Sequence, residues 1–354
     1  MTVTGLGLPT VLRPASSSAQ PMPTTGPLVD TFGRAATDLR VSLTDRCNLR
    51  CTYCMPAAGL DWLPAEQLLR PDELARLLRI AVTRLGITNV RFTGGEPLVV
   101  RHLEEVVAAT AALRPRPEIA MTTNGIALAK RARALKRAGL DRVNISLDTV
   151  DAARFSRITR RDRLDDVLAG LEAAAAAGLA PVKVNAVLDP DTGLEDAVSL
   201  LRFCLAHGYR LRIIEQMPLD AEHQWERGRS LEADDILLAL RKHFTLTQDP
   251  APRGSAPAQL WRVDGTTATV GVIASVSKAF CAACDRTRLT ADGQIRNCLF
   301  AREESDLRQL LRTGADDSAI EQAWRAAMWT KAVGHGINDP GFEQPDRPMS
   351  AIGG

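Results

Sequence analysis

Cys47-Asn48-Leu49-Arg50-Cys51-Thr52-Tyr53-Cys54 sets three thiols at C-x3-C-x2-C spacing, just after a short alternating run, Leu39–Leu43, that reads as a strand. Three thiolates can bind three irons of a 4Fe–4S cube and leave the fourth iron open to a ligand from outside the protein. A structural zinc site wants a fourth ligand nearby, and no Cys or His follows until His102. A disulfide would join two of these thiols and strand the third. The compact spacing favours a metal cluster over chance clustering in a loop.

Downstream, strand-like runs alternate with amphipathic helices. The first helix spans Pro71–Leu85, with Leu74, Leu77, Leu78, Ala81, Val82 and Leu85 at helical spacing and Gly86 ending it. Strand Ile87–Thr93, helix His102–Leu113, strand Ile119–Thr123 and helix Ala127–Ala138 follow. Then come strand Arg142–Leu147, helix Leu164–Ala177, strand Val182–Leu188, helix Leu194–His207 and strand Leu211–Glu215. Helical crossovers imply parallel strands. Six units are too few to close an eight-stranded barrel, so the fold expected is α/β, an open partial (β/α)6 TIM-like barrel over residues 35–219. Chemistry in such folds sits at the carboxyl ends of the strands. The cysteine motif, Gly94-Gly95-Glu96-Pro97, Thr122 to Gly125, Ser146 with Asp148, and Met217 all fall there.

Residues 220–354 read as a smaller α+β region, entered through a polar link (Asp220–Arg229) and a helix (Ala233–His243), with strands at Leu260–Val263 and Thr267–Ile273. It carries Cys281 and Cys284 at C-x2-C spacing and Cys298 thirteen residues further on. Again no fourth ligand is obvious, the nearest later His being His335. A zinc ribbon with a remote ligand is one reading; beside the first motif, a second 4Fe–4S cube is the stronger.

With 354 residues, 45% hydrophobic and 24% charged, the composition is that of a globular protein with ample core. A net charge of +2 and 4% aromatic content argue against a bulk nucleic-acid binder. No apolar run approaches the roughly 18 residues of a membrane span. Cysteines grouped in two tight sets fit metal ligation in a reducing compartment, hence the cytoplasm, and Cys204 reads as a small buried side chain. Residues 1–34, rich in Pro, Ser, Thr and Gly without periodicity, read as a disordered leader lacking secretory-signal features.

The first motif, with Tyr53-Cys54-Met55-Pro56, resembles the radical S-adenosylmethionine (SAM) enzymes. Phe280-Cys-Ala-Ala-Cys-Asp-Arg-Thr-Arg-Leu289, Asp292-Gly293, Cys298-Leu-Phe300 and the terminal Gly353-Gly354 narrow the resemblance to the GTP 3′,8-cyclase family, also called molybdenum cofactor biosynthesis protein A. The resemblance runs from about residue 35 to the end. It implies that SAM chelates the open iron of the first cube and is split to a 5′-deoxyadenosyl radical. That radical takes the ribose 3′ hydrogen of GTP, and attack on carbon 8 gives 3′,8-cyclo-7,8-dihydro-GTP, the first step of molybdenum cofactor biosynthesis. The guanine base would bind the auxiliary cluster.

By the same resemblance Tyr53, Gly95, Ser146 and Met217 match SAM contacts, and Arg40, Arg91, Thr122, Lys183, Arg286, Thr287 and Arg288 match GTP contacts, with Arg212 a further addition. Gly353 and Gly354 match a tail that makes hydrogen transfer productive. The chain has no G-x-x-x-x-G-K-[ST] loop, so arginine forks would take the phosphate role. Asn89 replaces a frequent lysine near the phosphates, and Val100 and His102 replace an Arg and an Asp. The implied partners are GTP, a flavodoxin-type electron donor and, by product transfer, pyranopterin monophosphate synthase, with a monomeric or homodimeric enzyme. The competing readings are a radical SAM peptide maturase with an auxiliary cluster and a zinc-bound interaction protein.

Overall fold

The computed structural model describes residues 21–353. Strands β1 (Asp38–Ser42), β2 (Asn89–Thr93), β3 (Glu118–Thr123), β4 (Arg142–Ser146), β5 (Lys183–Val187) and β6 (Arg210–Ile214) alternate with helices α1 (Pro71–Thr83), α2 (Leu103–Ala111), α3 (Leu128–Ala138), α4 (Ala152–Thr159), α5 (Leu164–Ala176) and α6 (Gly193–His207). Successive strands pair in parallel. The helices bury one apolar stripe each against the outer sheet face, as Leu74, Leu77, Leu78 and Ala81 of α1 show.

Helix α4 carries too few apolar positions (Phe155 and Ile158) for periodicity to reveal it. Its last turn matters: the carbonyls of Ile158 and Thr159 accept the backbone N–H groups of Thr52 and Arg50, pinning the first cysteine loop.

The C-terminal region adds α7 (Ala233–Arg241), β7 (Leu246–Gln248), β8 (Gln259–Val263), β9 (Thr269–Ile273), β10 (Arg286–Leu289), β11 (Gln294–Arg296), β12 (Ser305–Asp306), α8 (Leu307–Arg312), α9 (Asp317–Trp329) and α10 (Met349–Ile352). It extends the same sheet at both edges, in the order β12-β11-β10-β1-β2-β3-β4-β5-β6-β9-β8-β7. Strand β9 runs parallel to β6 and β10 parallel to β1, while β7, β8, β11 and β12 pair antiparallel. The barrel is open, as expected, but its parallel part is eight strands wide, and the sheet continues across the boundary expected at residue 219. Strand β10, four residues carrying two arginines beside the second cysteine set, is too short and too polar for periodicity to mark it as the sheet neighbour of β1.

The disordered leader expected through residue 34 is corrected over 21–34. Leu28 is fully buried, its N–H donating to the Leu85 carbonyl, and Arg34 pairs with Asp30 while donating to the carbonyls of Cys281, Ala332 and Val333. One apolar anchor and one ion pair order a segment whose composition has no periodicity. Residues 1–20 lie outside the described residues. Among those described, no helix is long and apolar enough to cross a membrane.

Helix α9 covers β10 from outside. Trp324, 0% exposed, donates its indole N–H to Thr287 Oγ1 at 3.2 Å. Trp324→Ala should cost about 3–5 kcal/mol, read as a lower denaturant midpoint by near-ultraviolet dichroism; an unchanged midpoint would remove α9 from the core.

Candidate active site in the barrel chamber

Strand alternation puts one residue set outward, under the helices, and the other inward. The outward set (Leu39, Val41, Val90, Phe92, Ile119, Met121, Val143, Ile145, Val184, Leu211, Ile213) is apolar and buried. A closed eight-stranded barrel fills its inside with branched apolar side chains. Here the inward set is polar: Arg40, Arg91, Thr122, Asn144, Asn185, Arg212 and Arg288. All but Asn144 line one cavity of about 360 Å³, large enough for a small-molecule site.

Both cysteine sets face this cavity, from opposite ends. Cys47, Cys51 and Cys54 follow β1, at the carboxyl ends of the parallel strands. Cys281 and Cys284 precede β10, which runs parallel to β1, so they stand at the amino ends; Cys298 follows antiparallel β11 and returns there. All six are free thiols. Within each set the thiols sense one another's charge, and burial pushes Cys47, Cys51 and Cys281 up and Cys54 to about 12. Cys284 goes the other way: burial would raise it, but Lys331 and Arg286 together outweigh that. Among the described residues no three His, Cys, Asp or Glu side chains close around one metal-ion position. A cube, bonding each thiolate to a different iron, does not need them to. The donor chemistry of both sets fits such a group.

The first loop is fixed by backbone contact. Gly95 N–H donates to Thr44 O at 2.7 Å and Glu96 N–H to Arg46 O at 2.8 Å. A Cβ on Gly95 would lie 2.3 Å from Arg46 O, and one on Gly94 (φ +146°) 2.4 Å from Thr44 O. The glycines therefore admit the cysteine loop's own carbonyls. Glu96, pushed by burial to about 7, accepts from Leu98 N, Thr123 Oγ1 and Asn124 N at 2.6–2.8 Å. Asn124 Nδ2 then donates to Asn48 Oδ1 at 2.6 Å. Tyr53 donates to Asp148 at 2.8 Å, and burial holds Asp148 at about 6. Gly95, Ser146 and Met217 line the same end.

Mid-chamber charge is lopsided. Arg40, Arg91, Arg212 and Arg288 are each 7–9% exposed. Arg40 pairs with Asp38 through both carboxylate oxygens, and Arg91 reaches the same carboxylate only at 3.9 Å, its Nε without a partner among the described residues. Among the described residues Arg212 and Arg288 have no ion pair; Asn144 and Asn185 orient Arg212 at 2.9 Å each. Burial first, then the neighbouring cations, lowers Arg91 strongly and brings Arg212 and Arg288 to about 9 and Lys183 to about 7. Asp38 is held well below the usual carboxylate range, Arg40 and Arg91 overcoming its burial.

Not every expected contact faces the cavity. Thr287 is corrected: strand alternation turns its side chain outward, onto Trp324. Lys183, at the amino end of β5, stands off the cavity wall but within the same field. Arg286 lines the wall with its guanidinium already shared among the Phe280 ring, Ser255 O and Cys284 Sγ. The tail is held inside: Arg347 binds Asp292 and Glu304, Ile352 is fully buried, and the Gly353 carbonyl accepts from Arg288. Gly353 (φ +84°) lies where a Cβ would meet Thr93 Cγ2 at 2.7 Å. Gly354 lies outside the described residues. Asn124 and Asp148 fall at the strand ends where the sequence places chemistry, but their partners, Asn48 and Tyr53, are visible only in the structure; Asn144 and Asn185 are absent from that reading, and the inward phase of β4 and β5 is the signal for both.

Residues 41–204 match the Radical SAM superfamily and 209–337 the Molybdenum Cofactor Synthesis C family. The GTP 3′,8-cyclase of Mycobacterium sp. (strain KMS) is 86% identical over all 354 residues of this chain and 100% of its own length. The chain belongs to the GTP 3′,8-cyclase family. Other family members include that of Mycolicibacterium smegmatis, 74% identical, and GTP 3′,8-cyclase 2 of Mycobacterium tuberculosis (strain H37Rv), 72% identical, each over 100% of both chains. Streptococcus suis SuiB bound to S-adenosylmethionine shares the fold at 15% identity and TM-score 0.56, over 80% of this chain and 66% of SuiB. Membership of the GTP 3′,8-cyclase family, with its radical SAM half, brings an iron–sulfur cluster and SAM to this protein.

If the glycine crevice holds the first cluster loop, Gly95→Ala should lose iron and sulfide from that set while far-ultraviolet dichroism stays unchanged. Full iron occupancy in this variant would show the crevice to be dispensable.

Proposed function

We propose that this protein is a GTP 3′,8-cyclase, converting GTP to 3′,8-cyclo-7,8-dihydro-GTP for molybdenum cofactor biosynthesis. The observation that carries the reading is the buried excess of guanidinium charge midway between the two cysteine sets. Unpaired charge is costly to bury, and a triphosphate is an anion of the right size and charge to repay it.

Cys47, Cys51 and Cys54 would hold the SAM-binding cluster and Cys281, Cys284 and Cys298 a second one. SAM at the first cluster supplies, on one-electron reduction, a 5′-deoxyadenosyl radical. The protein's own residues do the rest. Arg40, Arg91, Arg212 and Arg288 bind phosphate oxygens through charge-assisted hydrogen bonds, and Lys183, behind the wall, adds its charge to the same field. Asn144 and Asn185 fix the Arg212 fork before nucleotide arrives. Asp148 holds Tyr53 in one orientation beside Ser146 and Met217, the SAM end. Gly353, braced by Arg288, fills space against Ser42 and Thr93 without a side chain, excluding water from the reacting centre. Such positioning matters because a 1 Å error can cost about a hundredfold in rate. The reading calls for a low-potential one-electron donor such as a flavodoxin, and for pyranopterin monophosphate synthase as recipient of the product, both in the cytoplasm.

Anaerobic reconstitution with SAM, reductant and GTP should yield cyclised nucleotide, and Arg288→Ala should weaken GTP by about ten- to a hundredfold while weakening guanosine far less. Cleaved SAM with no cyclised product from wild-type protein would overturn the reading.

Lys183 makes the binding pH-dependent. Below about 7 it is charged whether or not nucleotide is present. Above that value the empty site has shed the proton, and anion binding must restore it. GTP binding should therefore take up a proton and weaken between about pH 7 and 9, measured by calorimetry in buffers of different ionisation enthalpy. Lys183→Met should bind more weakly at pH 7 and lose this uptake; identical proton uptake in both proteins would exclude Lys183.

A further inference from the structure

We propose that Lys331 sets the reduction potential of the cluster held by Cys281, Cys284 and Cys298, acting through Cys284 Sγ. The inference rests on the second-cluster reading above.

Lys331 lies just past the end of α9, its N–H donating to Met328 O. The residue is 4% exposed, and its Nζ stands 3.4 Å from Cys284 Sγ, 2.8 Å from Arg286 O and 3.5 Å from Cys284 O. Among the described residues no carboxylate stands within ion-pair distance of it. A buried ammonium needs a negative partner, and the group here that can supply one is the Cys284 thiolate. Arg286 Nη1 approaches the same sulfur at 3.8 Å.

The first cysteine set is treated differently. Cys47 Sγ faces the N–H of Leu49 at 3.4 Å and the Asn124 amide at 3.9 Å, both neutral donors. Charge-assisted donors are roughly twice as strong as neutral ones. Hydrogen bonds to sulfur and the local net charge tune the potential of such clusters. A cation on a ligand sulfur favours the reduced, more negative state. The chain thus distinguishes its two cysteine sets by donor charge, with the Lys331 ammonium the nearer cation to the Cys284 sulfur of the second set.

The test is an EPR-monitored redox titration of the reconstituted full-length protein, with the Cys47→Ala/Cys51→Ala/Cys54→Ala form assigning the second cluster's signal. Lys331→Met and Lys331→Gln should each keep about four irons at this site and titrate at a lower potential. The expected size is at least a tenfold change in the reduced-to-oxidised ratio at fixed potential, about 59 mV for a one-electron couple. Lys331→Arg, which keeps the charge, should stay near wild type. An unchanged potential in the Met and Gln variants at full iron content would overturn the inference. So would loss of the iron in both with rescue by Arg, which would make Lys331 an anchor of the loop. If the triple-alanine form with native Lys331 held no four-iron cluster, the second-cluster reading itself would fail.

Discussion

The structure depends on a chamber that buries more positive charge than it neutralises. Arg40, Arg91, Arg212 and Arg288 converge inside the sheet, and among the described residues Asp38 pairs closely with Arg40 and distantly with Arg91 while Arg212 and Arg288 have no ion pair. Burying a charge without its partner is among the more expensive acts in a fold. The strain registers as cations made easier to deprotonate, with Lys183 brought to about 7. A site of this kind gives up stability when empty and recovers it when a polyanion arrives, so stability and binding are linked through the same side chains.

The scaffold tolerates that cost because the apolar burial lies elsewhere. The outward faces of the parallel strands carry Val, Ile, Leu, Met and Phe against the helices, giving one continuous core cluster that also takes in Trp324 and Met328 of α9. Each strand is thus apolar on one side and functional on the other. The C-terminal region completes the arrangement: β9 and β10 widen the sheet, Arg288 enters from β10, and Gly353 returns under Arg288 from the chain's last helix. A smaller cluster of Leu219, Val276, Phe300, Ile337 and Ile352 seats that return.

Local packing also explains why chemistry-bearing loops keep their shape. Gly94 and Gly95 let the first cysteine loop lie against β2's end, α4 caps the loop's far side, and Glu96 ties both to Asn124. The glycine pair was legible as a motif, but its contact was not. The missing side chains make room for protein carbonyls, a fact that depends on where two separate βα loops meet.

The sequence by itself determined what is local or periodic. Thiols at C-x3-C-x2-C spacing declare a cluster because ligand spacing is set over a few residues, and alternating strands and helices declare an open α/β barrel because periodicity follows from backbone geometry. What it could not decide is any quantity summed over distant elements. Thr287 sits between two cavity arginines in sequence, yet strand alternation turns it to the core. The leader's residues 21–34 are ordered by partners some 50 to 300 positions away, at Leu85, Cys281 and Ala332. Whether an arginine is a solvated surface charge or one of four buried together, with one carboxylate pairing only two of them, is settled only when the strands that carry them converge, because charge compensation is a property of space and not of sequence order.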